Sequence, residues 1–133
     1  MRVLCIANSV IDLNDEIVRI RLNRSIHRDT ADMDLDIGKY YDVVAIEERD
    51  GGIWLFLHTV KSSDYPYPYP AEMFEFLDTS IPSDWGIKFE KREGGVIIKR
   101  ISFPKWASDD YFYEKLVDGD KEVVTAYQSR RPE

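Results

Sequence analysis

Two stretches decide the fold: KYYDVVAIEE at residues 39–48 and IWLFLHTV at residues 53–60. Both are rich in aromatic and β-branched residues, which favour β-strands. Between them lies Asp50-Gly51-Gly52, and glycine accepts the positive φ that a tight hairpin turn requires. The second stretch is apolar on both faces, so we expect a central strand that is covered on each side.

Further strands are expected on both sides of this hairpin. Residues 2–7 predict a short strand, and residues 87–101 predict a second hairpin that turns at Glu93-Gly94-Gly95. The run YPYPYP at residues 65–70 excludes a central strand, because proline cannot donate to a β-ladder, and it favours an extended path. Residues 71–78 fit one helical turn that leads into a short strand.

The C-terminal part of the sequence is typical of helices. Ser108 is placed to cap a helix over residues 109–116, and the acids in its first turn suit the helix dipole. Asp118-Gly119 ends that helix, and residues 120–128 fit another helix with an apolar face. The segment at residues 9–33 alternates poorly, and whether it contains a strand stays open.

The order of strands followed by helices predicts one domain over residues 1–133 with a mainly β, or β+α, fold. Two forms fit this order: a small antiparallel barrel, or a curved sheet. A hairpin is expected at residues 87–101 and C-terminal helices at residues 108–129. A chain of 133 residues, 44% of them hydrophobic, is long enough to bury one such core.

Charge is distributed unevenly along the chain. The net charge of −7 consists of +1 in residues 1–30, −8 in residues 31–78 and 0 in residues 79–133. The middle segment alone holds eleven acidic and three basic residues. An acidic field repels nucleic acid and attracts basic partners, although the same charge also serves as a solvated face that keeps a protein soluble.

Several classes of site are disfavoured by the sequence. Cys5 is the single cysteine and lies in an apolar run, which predicts a buried, inert thiol and no intramolecular disulfide. His27 and His58 have no metal-ligand spacing, and Asp32-x-Asp34-x-Asp36 fails as a calcium loop because Ile37 stands where glycine is needed. With neither a signal peptide nor an apolar stretch of about twenty residues, we expect a cytoplasmic protein without a membrane span.

Catalytic and nucleic-acid motifs are weak as well. The sequence has no nucleophile elbow and no phosphate-binding loop, and scattered carboxylates do not by themselves define a glycosidase pair. Basic residues alternate with Phe89 and Phe103 around residues 87–105, a pattern typical of single-strand binding, but the pI of 4.9 opposes it. We therefore expect a binding protein with no cofactor, no metal and no nucleic-acid partner, and not an enzyme.

The middle of the chain resembles a known group of proteins. DIGKYYDV at residues 36–43 is similar to the opening strand of small bacterial SH3-like barrels. The likeness runs through Asp50-Gly51-Gly52 to PAEMFE at residues 70–75 and PSDW at residues 82–85. It implies a small SH3-like antiparallel barrel whose core covers about residues 36–85. This pattern looks similar to immunity proteins of bacterial polymorphic and contact-dependent growth inhibition toxin systems. The resemblance implies a cytosolic inhibitor that binds one cognate toxin, often a basic nuclease, and occludes its active site.

In this interpretation the partner contacts lie in the acidic segment at residues 31–78. Opposite charge speeds the association of an inhibitor with a basic toxin, and the acids that would supply it are Asp32, Asp34, Asp36, Glu47, Glu48, Asp50 and Asp64. Tyrosine is enriched at interface hot spots, and the candidate anchors are Tyr65, Tyr67 and Tyr69. Alternatively these tyrosines pack on the core, where we also expect Trp54, Phe56, Phe74 and Phe76.

Two rival functions stay open. One is an SH3-like binding module or a phage-derived regulatory protein with another protein partner. The other is an enzyme that uses surface carboxylates, which would require a deep pocket that holds two close acids with separated pKa values.

Overall fold

The computed structural model describes residues 1–25 and 34–132. Within these residues seven antiparallel strands form one open sheet, and three of the four α-helices follow the last strand. The predicted mainly β fold with C-terminal helices is confirmed. The sheet is open rather than closed into a barrel. None of the described helices is long and apolar enough to cross a membrane.

The elements are numbered in chain order. The strands are β1 (Arg2–Cys5), β2 (Tyr40–Arg49), β3 (Gly52–Leu57), β4 (Tyr67–Pro70), β5 (Phe74–Phe76), β6 (Gly86–Arg92) and β7 (Gly95–Ser102). The α-helices are α1 (Glu16–Ser25), α2 (Pro104–Ala107), α3 (Phe112–Val117) and α4 (Lys121–Gln128). Short 3-10 turns occupy Val10–Asp12 and Ala71–Met73.

Strand β2 organises the sheet, because it pairs with three other strands. Its first half pairs with β1 and its second half with β7, while β3 runs along its other edge. The order β4-β3-β2-β1-β5 continues outward, and β6 pairs with β7. The register of β2 against β3 shifts between Val43 and Ala45, and such a bulge bends the strand near the point where its neighbour changes.

Both predicted hairpin turns are present. Asp50 and Gly51 have φ angles of 52° and 78°, so the β2–β3 turn places both central residues in the left-handed region. The β6–β7 turn uses Gly94, whose φ is 91°. Strand β4 contains prolines and lies at the edge of the sheet, where it pairs with β3. An edge position suits this strand, because proline has no backbone N–H to donate to a second neighbour.

Side chains of residues 55–57 in β3 alternate between two buried clusters. Leu55 and Leu57 belong to a cluster with residues of β1, α1 and β5, whereas Phe56 belongs to a cluster with the C-terminal helices. Trp106 of α2 stacks on Phe112 of α3 with ring centroids 5.0 Å apart. Burial on both sides explains why β3 is apolar on both faces, and it confirms the predicted central strand.

Some local predictions were wrong. Ser108 does not start a helix but ends α2, which begins at Pro104, because the fixed φ of proline suits the first helical turn. Phe76 is 38% exposed rather than part of the core, since β5 is an edge strand. The sequence does not decide whether residues 9–33 contain a strand; the described part forms a 3-10 turn and α1, which buries Leu22. His27 lies outside the described residues.

Candidate partner-binding surface

The acids proposed for partner binding divide into two groups. Asp34 and Asp36 precede β2, and Asp64 follows β3. Because β2 and β3 are antiparallel, all three acids lie beyond the same end of this strand pair. All three side chains are exposed. Glu47, Glu48 and Asp50 lie toward the opposite end of β2, near its turn into β3, so the structure does not bring the two groups together. Asp32 lies outside the described residues.

The group near the β2–β3 turn is occupied by contacts within the chain. Glu47 lies 3.3 Å from Arg49 and 3.7 Å from Arg100, and Glu48 accepts a 2.8 Å hydrogen bond from Arg92. The carboxylate of Asp50 accepts a 2.7 Å hydrogen bond from the hydroxyl of Ser25 at the end of α1. These side chains hold neighbouring elements together, and only Asp50 among the three acids is exposed.

These contacts change the pKa of the Glu48 carboxyl. Burial by itself would raise the pKa of its carboxyl. Hydrogen bonds from the Arg92 guanidinium and the Gly51 amide, with the charges of Arg92 and Lys99, outweigh burial and lower the pKa below its ordinary value. Glu48 therefore stays ionised at neutral pH and ties β2 to the β6–β7 hairpin.

The candidate tyrosines differ in accessibility. Tyr69 is buried in the same cluster as Leu55 and Leu57, and its hydroxyl lies 2.9 Å from that of Thr59. Burial raises the pKa of Tyr69 to about 12, with the charge of Asp34 adding to the shift. Tyr65 and Tyr67 are half-buried, and their rings meet edge to face with centroids 5.4 Å apart. These two rings offer partial surface beside Asp64, whereas Tyr69 supports the strand.

The loop that holds Tyr65 is fixed in place by hydrogen bonds. The hydroxyl of Ser63 donates to the carbonyl of Tyr65 at 2.9 Å, and the hydroxyl of Tyr113 on α3 donates to the carbonyl of Pro66 at 2.8 Å. Burial raises the pKa of Tyr113 to about 12. A loop that is preorganised in this way loses little conformational entropy when a partner docks against it.

Six acids of segment 31–78 are exposed and form no ion pair with another described residue. They are Asp34, Asp36, Asp50, Asp64, Glu75 and Asp78. We call this set the exposed acids. Hydrogen bonds from Ser80 lower the pKa of Asp78, which keeps its charge at neutral pH. Lys39 and Lys61 lie at the same end of the sheet as Asp34 and Asp64, and Arg131 donates to the Lys61 carbonyl there. The charge at this end is therefore mixed, and the acidic excess belongs to segment 31–78 as a whole.

Sequence reasoning missed two clefts between the sheet and the C-terminal part. One has a volume of about 370 Å³ and lies beside α3, lined by Glu47, Lys88, Glu90, Arg100 and Tyr113 among others. Both acidic and basic side chains line this cleft. Arg100 is 5% exposed and donates hydrogen bonds to the Ala107 carbonyl and to the Asp110 carboxylate. An arginine within a strand of mixed charge gives no sequence signal of burial.

The other cleft, of about 670 Å³, lies near the end of α4. It is lined by Lys39, Tyr41, His58, Lys61 and Arg131 among others. His58 lies 2.8 Å from the hydroxyl of Tyr127, and burial, with the nearby charge of Arg131, lowers the pKa of its imidazole. The partner of His58 comes from 69 residues along the chain, a pairing that the sequence alone cannot indicate.

The β6–β7 hairpin exposes apolar side chains. Ile87, Phe89, Val96 and Ile98 are 46–60% exposed, and the pairing of Ile87 with Ile101 and of Phe89 with Ile98 places them on one face. On the other face of the hairpin, Lys88 and Glu90 line the smaller of the two clefts, the one beside α3.

The described residues contain no group of three or more His, Cys, Asp or Glu side chains placed to hold a metal ion. Comparison of the chain with protein-family models, curated proteins and solved structures finds no match.

Proposed function

We propose that this chain is an immunity protein that binds and neutralises a cognate bacterial toxin with a basic active domain by occluding the toxin's active site. The observation that carries the proposal is the set of exposed acids, whose charge is directed to solvent. Exposed negative charge of this kind steers a basic protein toward the chain and raises the association rate.

The contact surface is assigned to the end of the sheet where Asp34, Asp36 and Asp64 lie. Tyr65 directly follows Asp64 in the chain, and the half-buried rings of Tyr65 and Tyr67 supply apolar area, which tyrosine contributes at low side-chain entropy cost. Glu47 and Glu48 take no direct part, because their carboxylates already pair with Arg92 and Arg100.

The test begins with capture of partners on the tagged chain from a lysate of its source cells. The proposal predicts one stoichiometric protein that arrests growth when expressed alone and loses its activity when the chain is added. Recovery of no stable partner, or of a partner whose activity the chain leaves unchanged, would rule out the inhibitor function. A stable partner without toxic activity would favour the rival binding or regulatory module.

A further inference from the structure

Strand β6 is an open edge of the sheet. It pairs with β7 alone, and its remaining backbone groups form no other hydrogen bond with a described residue. Helix α2 packs near Gly86 at the start of the strand. At seven residues β6 is long for an open edge, and beyond Gly86 it exposes Ile87 and Phe89. An open edge of this kind is a template for pairing with another strand.

The sequence of β6 is complementary to itself in one register. When a second copy is turned by 180° about Phe89 and runs antiparallel, Phe89 meets Phe89 and Lys88 meets Glu90 of the other copy. Ile87 then lies opposite the aliphatic stem of Lys91. Directly opposed side chains in antiparallel strands interact, and two-fold symmetry forms the Lys88–Glu90 pair twice.

The charges on β6 therefore favour one pairing register of two β6 strands over the others. Lysines at a sheet edge ordinarily discourage pairing with other strands. Lys88 has no ion-pair partner among the described residues, and the carboxylate of Glu90 contacts only Arg92 of its own strand. In the register centred on Phe89, these opposite charges attract; a shift by one residue would place like charges or unmatched faces against each other.

The exposed apolar face supports the same arrangement. Phe89 is 59% exposed and Ile98 beside it is 46% exposed. Pairing of two β6 strands joins the apolar faces of the two hairpins across the symmetry axis and covers part of each Phe89 ring. A contiguous apolar face that no described element covers is typical of an interaction site.

We infer that a second copy of this chain pairs with β6 as an antiparallel strand and forms a symmetric dimer through Phe89, Lys88 and Glu90. A basic toxin fits this hairpin poorly, because residues 86–102 hold five basic and two acidic side chains. The inference does not rest on the proposed function, since the hairpin and the contact surface for the toxin share no residue.

Charge exchange tests the register. By sedimentation velocity at low salt, we expect the unaltered chain to dimerise with a dissociation constant on the order of tens of micromolar, as suits a small interface. Lys88→Glu and Glu90→Lys, each alone, bring like charges together twice and weaken the dimer by about tenfold. An equimolar mixture of the two variants restores opposite charges at both pairs and is expected to restore the dimer, as is the double exchange within one chain.

Matched controls separate this effect from net charge. Lys105→Glu and Glu122→Lys change the net charge by the same amounts at exposed positions outside β6, and we expect both variants to dimerise like the unaltered chain. Circular dichroism checks that every variant is folded. A chain that stays monomeric up to about 0.5 mM overturns the inference. A dimer that the single exchanges leave unchanged, or that the mixture does not restore, overturns it equally.

Discussion

At the scale of single residues, Arg100 connects the sheet to the helices. It lies on β7, donates to the Ala107 carbonyl at 3.1 Å and contacts both Glu47 and Asp110. Its three neighbours come from β2, from α2 and from the loop before α3, so one guanidinium joins parts of the chain that are distant in sequence. A buried arginine is tolerated only where such partners compensate its charge.

Replacement of Arg100 is expected to be costly. Arg100→Ala leaves the Ala107 carbonyl without its donor and leaves Glu47 with Arg49 as its remaining cation among the described residues. We predict a loss of about 3 kcal/mol in the free energy of unfolding. Asp110→Asn removes a carboxylate that is 62% exposed, and we predict a loss below about 1 kcal/mol. Urea unfolding of both variants measures the difference; equal losses would show that Arg100 is not the central partner.

His58 predicts a specific pH dependence. Burial, with the charge of Arg131, holds its pKa in the folded chain below the ordinary value of 6.5, so folding favours the neutral imidazole. The stability that this provides is fully present above pH 6.5 and is lost as the pH falls through the lowered pKa, because the unfolded chain binds the proton more readily.

His58→Gln is the matched variant, because glutamine can still hydrogen-bond to Tyr127. We expect the free energy of unfolding to decline more steeply for the unaltered chain than for His58→Gln when the pH is lowered from about 7 to about 5. Thermal unfolding across this range gives both curves. Parallel curves would mean that His58 titrates alike in the folded and unfolded chain.

At the scale of elements, patterns with strong local causes predicted the structure well. The two hairpins follow from glycine pairs between β-branched strands, and α4 follows from Asp120, whose carboxylate accepts from the amide of Val123. Helix α1 was not predicted because its apolar residues do not share one buried face: Ile17 is 79% exposed and only Leu22 is buried. Its place depends on tertiary contacts such as the ion pair between Arg21 and Glu72.

Substitutions in the β2–β3 turn test whether its positive φ angles determine which residues it accepts. Gly51 has a φ of 78°, so Gly51→Ala places a side chain in the left-handed region, and we predict a loss of about 1 kcal/mol. Asp50→Asn keeps an acceptor for Ser25 and a residue that tolerates positive φ, and we predict a change within about 0.5 kcal/mol. Denaturant midpoints compare the two variants, and a loss of stability confined to Asp50→Asn would contradict this account of the turn.

At the scale of the whole molecule, the sheet separates two buried clusters, and the exposed acids lie at more than one of its edges. The sequence indicated the acidic segment and the mainly β fold, because both depend on composition and local pattern. It could not show which acids are already paired, since Arg92, Lys99 and Arg100 reach Glu47 and Glu48 from a strand pair about fifty residues away. The surface available to a partner is therefore smaller than the acidic segment.

Steering of a basic toxin by the exposed acids is measured by the rate at which the chain associates with the captured toxin at several salt concentrations. Asp34→Lys combined with Asp64→Lys is the test variant, and Glu93→Lys combined with Glu122→Lys is the control with the same change in net charge. We predict that the test variant associates about tenfold more slowly at low salt, with a flatter salt dependence, than the control. Equal association rates for the two variants would contradict the account.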